Sequence, residues 1–312
     1  MNQQKRQRRI YVHGAYSVTG TVRRLRRAIM RIEGISATQE TAGHDRTVAC
    51  LAAWSADAKM SLLREAITGA LERASMPATI IDGTVFCCTL PMTHFPAGRS
   101  LVRSILQPIG VSGPYLHLGG HQCSGTIAAM RQAAHWLTTR PYSHVLVATV
   151  DVVDFTTHRT LGNGVIQGDA ASAVILSHAP AEIAYVGTHV ITDASRYDMS
   201  GAGDELSWRY FFTLRSLVHA LLVRHGITIE QVAHVIPHIS NPVTWQRIRE
   251  LLQFHGQILL QREMETLGHL FGTDCVLGLM QFVAQHPPTS TYALALTYGM
   301  GASWGGLLVQ AQ

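Results

Sequence analysis

Within its first half the chain reads Gly119-Gly120-His121-Gln122-Cys123-Ser124-Gly125-Thr126-Ile127-Ala128-Ala129-Met130. A predicted strand, Tyr115–Leu118, ends in the two glycines, and Cys123 opens a helix predicted over Ser124–Thr138. Small and apolar residues occupy nearly every face of that helix, so we expect it to be buried. The positive end of a helix favours a thiolate, which makes Cys123 a candidate nucleophile. The alternative interpretation is an inert cysteine packed in the core.

Strand and helix patterns alternate on both sides of this stretch. Before it and after it the sequence predicts helices over Ala58–Ala74, with Asp57 as a possible cap, and Pro96–Leu106, and strands over Ser143–Asp151 and Ala170–Ser177. The alternation predicts α/β layers in which helices cover sheets. A similar order begins again near residue 180, with a strand predicted over Ile183–Ile191 and a long helix over Glu205–His225. We therefore predict two related halves packed as one body: residues 1–178 with the cysteine, and residues 179–312.

Composition supports a large, well-packed enzyme. Of 312 residues, 47% are apolar and only 14% are charged, which argues against disorder and suits a protein that also buries surface in an oligomer. No apolar run reaches the roughly 18 residues of a membrane span, and no signal-peptide core follows the basic start. We expect a soluble cytoplasmic protein whose five cysteines are reduced. The cysteines other than Cys123 are predicted to be core residues: Cys50, Cys87, Cys88 and Cys275.

Charge and histidine content suggest partners but no metal. The net charge is +5, and arginines crowd the first tenth of the chain. Such a patch could attract an acidic carrier protein, the phosphates of coenzyme A or nucleic acid, or could be a solvated helix face. Without a helix-turn-helix, zinc-finger or RNA-binding signature, nucleic acid is not favoured. His117, His121 and Cys123 are close in sequence but lack the spacing of a zinc site, so no metal is predicted.

A histidine lies at the end of a predicted strand in the second half. The strand Ala233–Pro237 is followed by His238, and a helix is expected from Pro242 with Asn241 as its cap. A histidine at the carboxyl edge of a strand faces the crevice where α/β proteins place their chemistry. His238 could act as a base toward Cys123 or a second substrate, or could be structural.

Two further segments carry candidate site residues. Between Leu267 and Asp274 a tight turn opens a helix; His269 and Asp274 could orient His238 or bind substrate, and Asp274 could equally be a plain helix cap. A glycine-rich turn, residues 298–306, joins the last two strands and could aim a backbone N–H at an oxyanion, with the N–H of Cys123 as its partner. No helix pattern follows these glycines, so they are not a dinucleotide fingerprint.

Together these segments resemble the 3-oxoacyl-acyl-carrier-protein synthase III family. The stretch 121–125 resembles the family's nucleophile segment, Ala-x-Cys-Ser/Ala-Gly, and residues 163–173 resemble its Phe-Gly-Asp-Gly-Ala strand entry. Pro237-His238-Ile239-Ser240-Asn241 is similar to Pro-His-Gln-Ala-Asn, and residues 299–305 are similar to Gly-Gly-Gly-x-Thr-Trp-Gly. The order and spacing fit along residues 60–312.

The resemblance implies a thiolase-like fold of five layers, α-β-α-β-α, made of two duplicated halves. It implies Cys123 as acyl carrier, His238 as catalytic histidine, and an oxyanion hole from the N–H groups of Cys123 and Met300. It further implies an acyl thioester of coenzyme A or of an acyl carrier protein as substrate, no tightly bound cofactor, and usually a dimer.

The departures from the family are informative. Where the family has a Gly-Asn pair that supports decarboxylation, this chain has Gly268-His269. The segment Gly-His-x-x-Gly-x-Asp resembles ketosynthase III-like acyltransferases of specialised metabolism, in which an Asp accompanies Cys and His and the acyl group passes to oxygen or nitrogen. By that analogy Asp274 would orient His238. The family's Trp and Arg contacts to coenzyme A are not recognisable before residue 57.

Our hypothesis is an acyltransferase of a fatty-acid, polyketide or other secondary-metabolite pathway with two half-reactions. Cys123 takes the acyl group, and His238, oriented by Asp274 or His269, activates the acceptor. The alternatives are decarboxylative condensation with a malonyl thioester, a non-catalytic subunit of a ketosynthase heterodimer, and a small-molecule binding protein with an incidental cysteine.

Overall fold

The structure is a computed structural model that describes residues 8–34, 46–52, 55–90, 102–153, 159–160, 165–193, 204–240, 242–299 and 302–312. Its strands in these ranges are β1 (Ile10–Thr19), β2 (Val22–Leu25), β3 (Thr47–Cys50), β4 (Gly83–Cys87), β5 (Tyr115–Leu118), β6 (His144–Asp151), β7 (Ala170–Ser177), β8 (Ile183–Thr192), β9 (Val232–Pro237), β10 (Gln257–Ile258), β11 (Tyr292–Gly299) and β12 (Ser303–Ala311). Its helices are α1 (Arg26–Ile32), α2 (Ala56–Arg73), α3 (Gln107–Ile109), α4 (Gly125–Thr139), α5 (Asp204–Arg224), α6 (Pro242–Leu252), α7 (Glu263–Thr266) and α8 (Thr273–Ala284).

The main sheet repeats one strand pattern in both halves of the chain. Its order is β10-β9-β11-β12-β8-β1-β7-β6-β4-β5. In the first half β1, β7 and β6 run antiparallel in turn, and β4 and β5 then add in parallel. In the second half β8, β12 and β11 run antiparallel, and β9 and β10 add in parallel. The two patterns meet where β1 pairs with β8, which is the topology expected of a duplicated fold.

Helices separate and cover the two five-strand patterns. Helix α2 packs on β1, β7 and β6, and α5 packs on β12 and β8. Helices α4 and α8 contact each other and strands of both halves, so they form the central layer. This central layer is apolar on most faces: α4 buries Ile127, Ala129, Met130 and Ala133 among others. The predicted burial of the helix after Cys123 agrees with the structure, and hydrophobic burial is the main term that holds such a layer in place.

Element boundaries agree with the sequence predictions to within a few residues, with identifiable exceptions. The helix predicted from Ala58 begins at Ala56, and its cap is Ser55, whose hydroxyl accepts the N–H of Ala58, and not Asp57. The small β2–β3 sheet and α1 were not predicted, because four-residue strands and a seven-residue helix carry little periodicity. The predicted helix cap Asn241 and most of a helix predicted over Pro96–Leu106 lie outside the described residues.

Among the described helices, none combines the length and apolar character required to cross a bilayer.

Candidate active site

Cys123 lies in a short 3-10 turn, Gln122–Ser124, directly before helix α4. Gln122 has φ of 46°, a left-handed conformation that bends the chain sharply between β5 and helix α4. The thiol side chain is 8% exposed. The far end of β11 lies against this turn, because a Cβ added at Gly299 would come within 3.4 Å of the Cys123 backbone nitrogen. The sequence therefore places a buried sulfur at the start of the central helix.

A histidine from the second half reaches this sulfur. His269 Nε2 lies 3.2 Å from Cys123 Sγ, and His269 Nδ1 lies 2.7 Å from Asp274 Oδ2. Asp274 is also held by backbone: its Oδ1 accepts the N–H of Leu270, and its Oδ2 accepts the N–H of Ile239. All three side chains of the Cys123–His269–Asp274 chain are buried. The arrangement is a nucleophile, a base and a group that orients the base.

Close backbone approach fixes the position of His269. Its N–H donates to the carbonyl of Ile166, and its own carbonyl accepts the N–H of Gly168. Gly268 has φ of 74°, and a Cβ there would lie 2.7 Å from the Ile166 oxygen, so no other residue type fits without a shift. The Gly268-His269 pair therefore depends on glycine for the contact that aims the imidazole.

Electrostatics give His269 a positive charge. Burial lowers the pKa of His269, but the negative charges of Cys123 and Asp274, with hydrogen bonds to both, outweigh burial and hold the pKa well above its usual value. As an imidazolium, His269 donates from Nδ1 to Asp274 and from Nε2 to Cys123. The site thus favours a protonated His269 that donates to the Cys123 sulfur.

His238 has a different environment. Its ring is 3% exposed, and its Nδ1 accepts the N–H of Tyr298 at 3.1 Å. Burial and the positive charge of His269 lower the pKa of His238 well below its usual value. A neutral ring whose Nδ1 is an acceptor carries its proton on Nε2. The ring of Tyr298 lies 4.0 Å away between centroids and that of His269 lies 5.0 Å away. His238 is therefore built as a neutral hydrogen-bond donor.

The structure corrects the predicted partner of Asp274. We expected Asp274 to orient His238, or else to serve as a plain helix cap. The structure instead directs the Asp274 carboxylate to His269, and Asp274 is the second residue of α8, after a cap position occupied by Gly272. The sequence could not show which of the two histidines contacts Asp274 and Cys123. That depends on contacts between distant segments, such as Cys123 and His269, which are 146 positions apart.

A cavity of about 140 Å³ lies beside the site, with His269 in its lining. Arg26 and Arg46 line it, as do Thr47, Ser240 and His269. Both arginines are partly exposed, and Arg26 comes from the arginine-rich first tenth of the chain. Their position beside the cavity could not be predicted, because it depends on α1 and the β2–β3 sheet.

Cys123 also belongs to a small apolar cluster. Val153 and Phe271 are buried in it with Cys123, and Leu90 packs against the cluster. These apolar neighbours were not singled out from the sequence, since each lies in a turn or strand end without periodic pattern.

The remaining predictions concern the oxyanion hole, the other cysteines and a metal site. Met300, expected to supply an oxyanion-hole N–H, lies outside the described residues. The four remaining cysteines are buried and unpaired with one another, and Cys88 Sγ lies 3.4 Å from His117 Nε2. In the described part of the chain, His, Cys, Asp and Glu side chains form no group of three or more arranged for a metal ion.

Comparison with known proteins identifies the family. Residues 120–194 match 3-oxoacyl-[acyl-carrier-protein (ACP)] synthase III, and residues 222–311 match the C-terminal part of the same family, together more than half of the chain. The chain therefore belongs to the 3-oxoacyl-acyl-carrier-protein synthase III family. It is a ketosynthase III-like biosynthetic enzyme of the thiolase superfamily, as the motif resemblance predicted.

Individual relatives are distant but span most of the chain. It is 22% identical over 263 residues to the β-ketoacyl-[acyl-carrier-protein] synthase III of Rubrobacter xylanophilus, covering 80% of this chain and 82% of the relative. The structure is similar to that of ChlB3, described as an acyltransferase, with a TM-score of 0.83, 18% identity and coverage of 97% and 98%. It is also similar to 3-oxoacyl-[acyl-carrier-protein] synthase III of Aquifex aeolicus, with a TM-score of 0.78, 15% identity and coverage of 96% and 99%. The predicted fold class is confirmed.

Proposed function

We propose that this protein is an acyltransferase that loads an acyl group from a coenzyme A or carrier-protein thioester onto Cys123 and passes it to an oxygen or nitrogen nucleophile in a biosynthetic pathway. The observation that carries the proposal is the hydrogen-bonded chain from Cys123 through His269 to Asp274. Such a chain activates a nucleophile and then serves as general base for a protic acceptor.

In the first half-reaction the Cys123 thiolate attacks the thioester carbonyl. A carbon–sulfur bond forms to Cys123, and the bond from the carbonyl carbon to the donor sulfur breaks. The His269 imidazolium gives its Nε2 proton to the departing thiolate, which leaves as a neutral thiol. His269 ends this step neutral, with its Nδ1 proton still directed at Asp274.

Acylation then changes the electrostatics of His269. The Cys123 charge, one cause of its raised pKa, disappears when the thioester forms, while burial continues to lower the pKa. Neutral His269 presents a free Nε2 lone pair beside the acyl group. It takes the proton of the acceptor hydroxyl or amine as that group attacks the carbonyl, and Cys123 leaves as the thiolate of the restored ion pair.

His238 acts on the substrate oxygen in this scheme and not as the base. Its Nδ1 is committed to the Tyr298 N–H, so the group available to a ligand is Nε2–H. A buried neutral donor stabilises negative charge on a carbonyl oxygen without reorganisation. Oxyanion stabilisation by the N–H groups of Cys123 and Met300 remains a prediction beside this role.

The donor is expected to enter by the cavity that ends at His269. A phosphopantetheine arm is long and narrow and carries phosphate at its outer end, and Arg26 and Arg46 supply positive charge along the cavity. In this proposal Arg26 and Arg46 bind the phosphates of a coenzyme A or carrier-protein thioester. They take the place of the family's arginine contacts to coenzyme A, which are not recognisable in this sequence. A second copy of the chain is the expected protein partner, forming a homodimer.

Decarboxylative condensation is the second candidate, and His238 is the observation that favours it. A neutral Nε2–H donor also stabilises the enolate of a malonyl thioester after CO2 leaves. The family's second donor, the Asn amide, is here an imidazole held by Cys123 and Asp274. We therefore rank transfer to oxygen or nitrogen first.

Intact-protein mass spectrometry tests the proposal. The protein is incubated with acyl thioesters of coenzyme A and of carrier protein, beside Cys123→Ala and the core-cysteine control Cys275→Ala. We expect a gain of one acyl mass in the wild type and the control but not in Cys123→Ala, and its loss when hydroxyl or amine acceptors are added. CO2 release from a malonyl thioester would instead support condensation, and no acyl gain from any donor would refute both.

A further inference from the structure

Cys123 belongs to an apolar cluster that the chemistry above does not use. Val153, two residues after the end of β6, and Phe271, in the turn before α8, are 2% and 1% exposed and are buried in this cluster with Cys123. Leu90 packs against the same cluster. We refer to Leu90, Val153 and Phe271 as the acyl wall. An acyl group bound to Cys123 would start from a residue that packs in the same cluster as these side chains.

Phe271 is held in an unfavourable backbone conformation. Its φ is 56°, a left-handed value that is rare for a bulky side chain and strains the backbone. The ring lies 5.1 Å from the His269 ring between centroids, within the turn that also carries Asp274. Glycine at this position would form the same turn without strain. The strained position therefore holds a phenyl ring against His269 and in the cluster that contains the nucleophile.

The donor cavity and the acyl wall involve different residues. The cavity is lined by Arg26, Arg46 and His269 among others, whereas the wall consists of Leu90, Val153 and Phe271. A donor arm held by the cavity would therefore leave the acyl wall to contact only the group that is transferred to Cys123.

We propose that Phe271, supported by Val153 and Leu90, is a specificity-determining residue that limits the group carried on Cys123 to short acyl chains. This inference rests on the proposed acyl transfer. Truncating Phe271 to alanine would open space of about a phenyl group in the cluster around Cys123, and a longer acyl chain would fill it. Apolar pockets discriminate by roughly 10- to 200-fold for each methylene that does or does not fit.

The test compares wild type, Phe271→Ala, Val153→Ala and the control Phe282→Ala. Phe282 is equally buried and lies near the other end of α8, against His234. Rates of Cys123 acylation by acetyl-, butyryl-, hexanoyl- and octanoyl-coenzyme A are measured by intact-protein mass spectrometry. We expect the octanoyl-to-acetyl rate ratio to rise about tenfold or more in Phe271→Ala, to rise less in Val153→Ala, and to stay unchanged in Phe282→Ala.

A second measurement separates this inference from the proposed function. Cys123 is alkylated with iodoacetamide and with N-hexyl iodoacetamide, which needs no acyl transfer. The readout is the ratio of the alkylation rate with N-hexyl iodoacetamide to that with iodoacetamide. A higher ratio in Phe271→Ala and Val153→Ala than in the wild type supports the acyl wall. If no thioester reacts in the same experiment, the proposed function is refuted and the acyl wall is not. Unchanged ratios in both variants, for acylation and for alkylation, would refute the role of Phe271 and Val153 in limiting chain length. The proposed acyl transfer by the wild type would be unaffected.

Discussion

Two buried histidines, 31 positions apart in the sequence, have pKa values that their neighbours shift in opposite directions. His269 lies between Cys123 and Asp274, and its pKa is raised by their charges against the effect of burial. His238 accepts a backbone N–H, and burial and the His269 cation lower its pKa. Groups whose environments push their pKa values apart take different roles in acid–base chemistry. At the scale of single residues, the site is therefore defined by which histidine Asp274 contacts.

Replacing Asp274 by Asn tests this assignment through pH. Because Asp274 helps to raise the pKa of His269, its loss lowers that pKa, so the imidazolium that donates to Cys123 is present over a narrower range of pH. We expect Asp274→Asn to slow iodoacetamide alkylation of Cys123 at pH 6–7 by about tenfold per pK unit, with recovery at high pH. The exposed control Glu265→Gln should leave the profile unchanged. A uniform loss at every pH would instead indicate a purely structural role.

At the scale of elements, one buried carboxylate connects the start of β7 to the acyl wall. Asp169 accepts two hydrogen bonds from the Arg159 guanidinium and one each from the N–H groups of Leu51 and Val153. The carboxylate is fully buried, and the guanidinium is 16% exposed. This residue belongs to the Gly-Asp segment that resembled the family's strand entry. Its hydrogen bond from the Val153 N–H fixes the backbone at this member of the acyl wall.

Neutralising Asp169 should destabilise the fold and not only the site. Asp169→Asn leaves the Arg159 charge poorly compensated in a buried setting and removes acceptor strength from four donors. We expect the free energy of unfolding to fall by about 3 kcal/mol, seen as a lower urea midpoint with unchanged slope. The exposed control Asp57→Asn should change it by less than about 0.5 kcal/mol. An unchanged midpoint for Asp169→Asn would show that this network contributes little to stability.

Local patterns allowed most elements to be predicted, and long-range pairing accounts for what was missed. The periodicity of α2, α4 and α5 and the apolar runs of β6 and β7 are local, so their bounds follow closely from sequence. Cys123, His238, His269 and Asp274 were named as candidates from turn and strand-end positions. Their connectivity was not, because the side chain that reaches Cys123 depends on how α8 packs against α4. The strained Phe271 has no sequence signal, since its φ is imposed by the turn around it.

At the scale of the whole molecule, the mirrored sheet leaves β5 as one end strand of the described order. The N–H of Thr84 donates to the carbonyl of Pro114, so by alternation along β5 the backbone groups of Tyr115 and His117 point away from β4. Tyr115 is 44% exposed, and the strand carries no Pro, Lys or Glu that would discourage pairing. Edge strands of this kind are templates for another strand. A twofold dimer would satisfy this edge with its own copy.

A charge on this edge should therefore dissociate the expected homodimer. In a twofold interface each substitution is presented from both subunits, so Tyr115→Asp introduces two carboxylates and removes two aromatic side chains at once. We expect the wild type to sediment as a dimer and Tyr115→Asp to shift to monomer at micromolar concentration. Phe212→Asp, at an exposed apolar position on α5, is the matched control and should remain dimeric. A monomeric wild type, or a Tyr115→Asp variant as dimeric as the control, would contradict assembly through β5. A monomeric wild type would further mean that the site works within one chain.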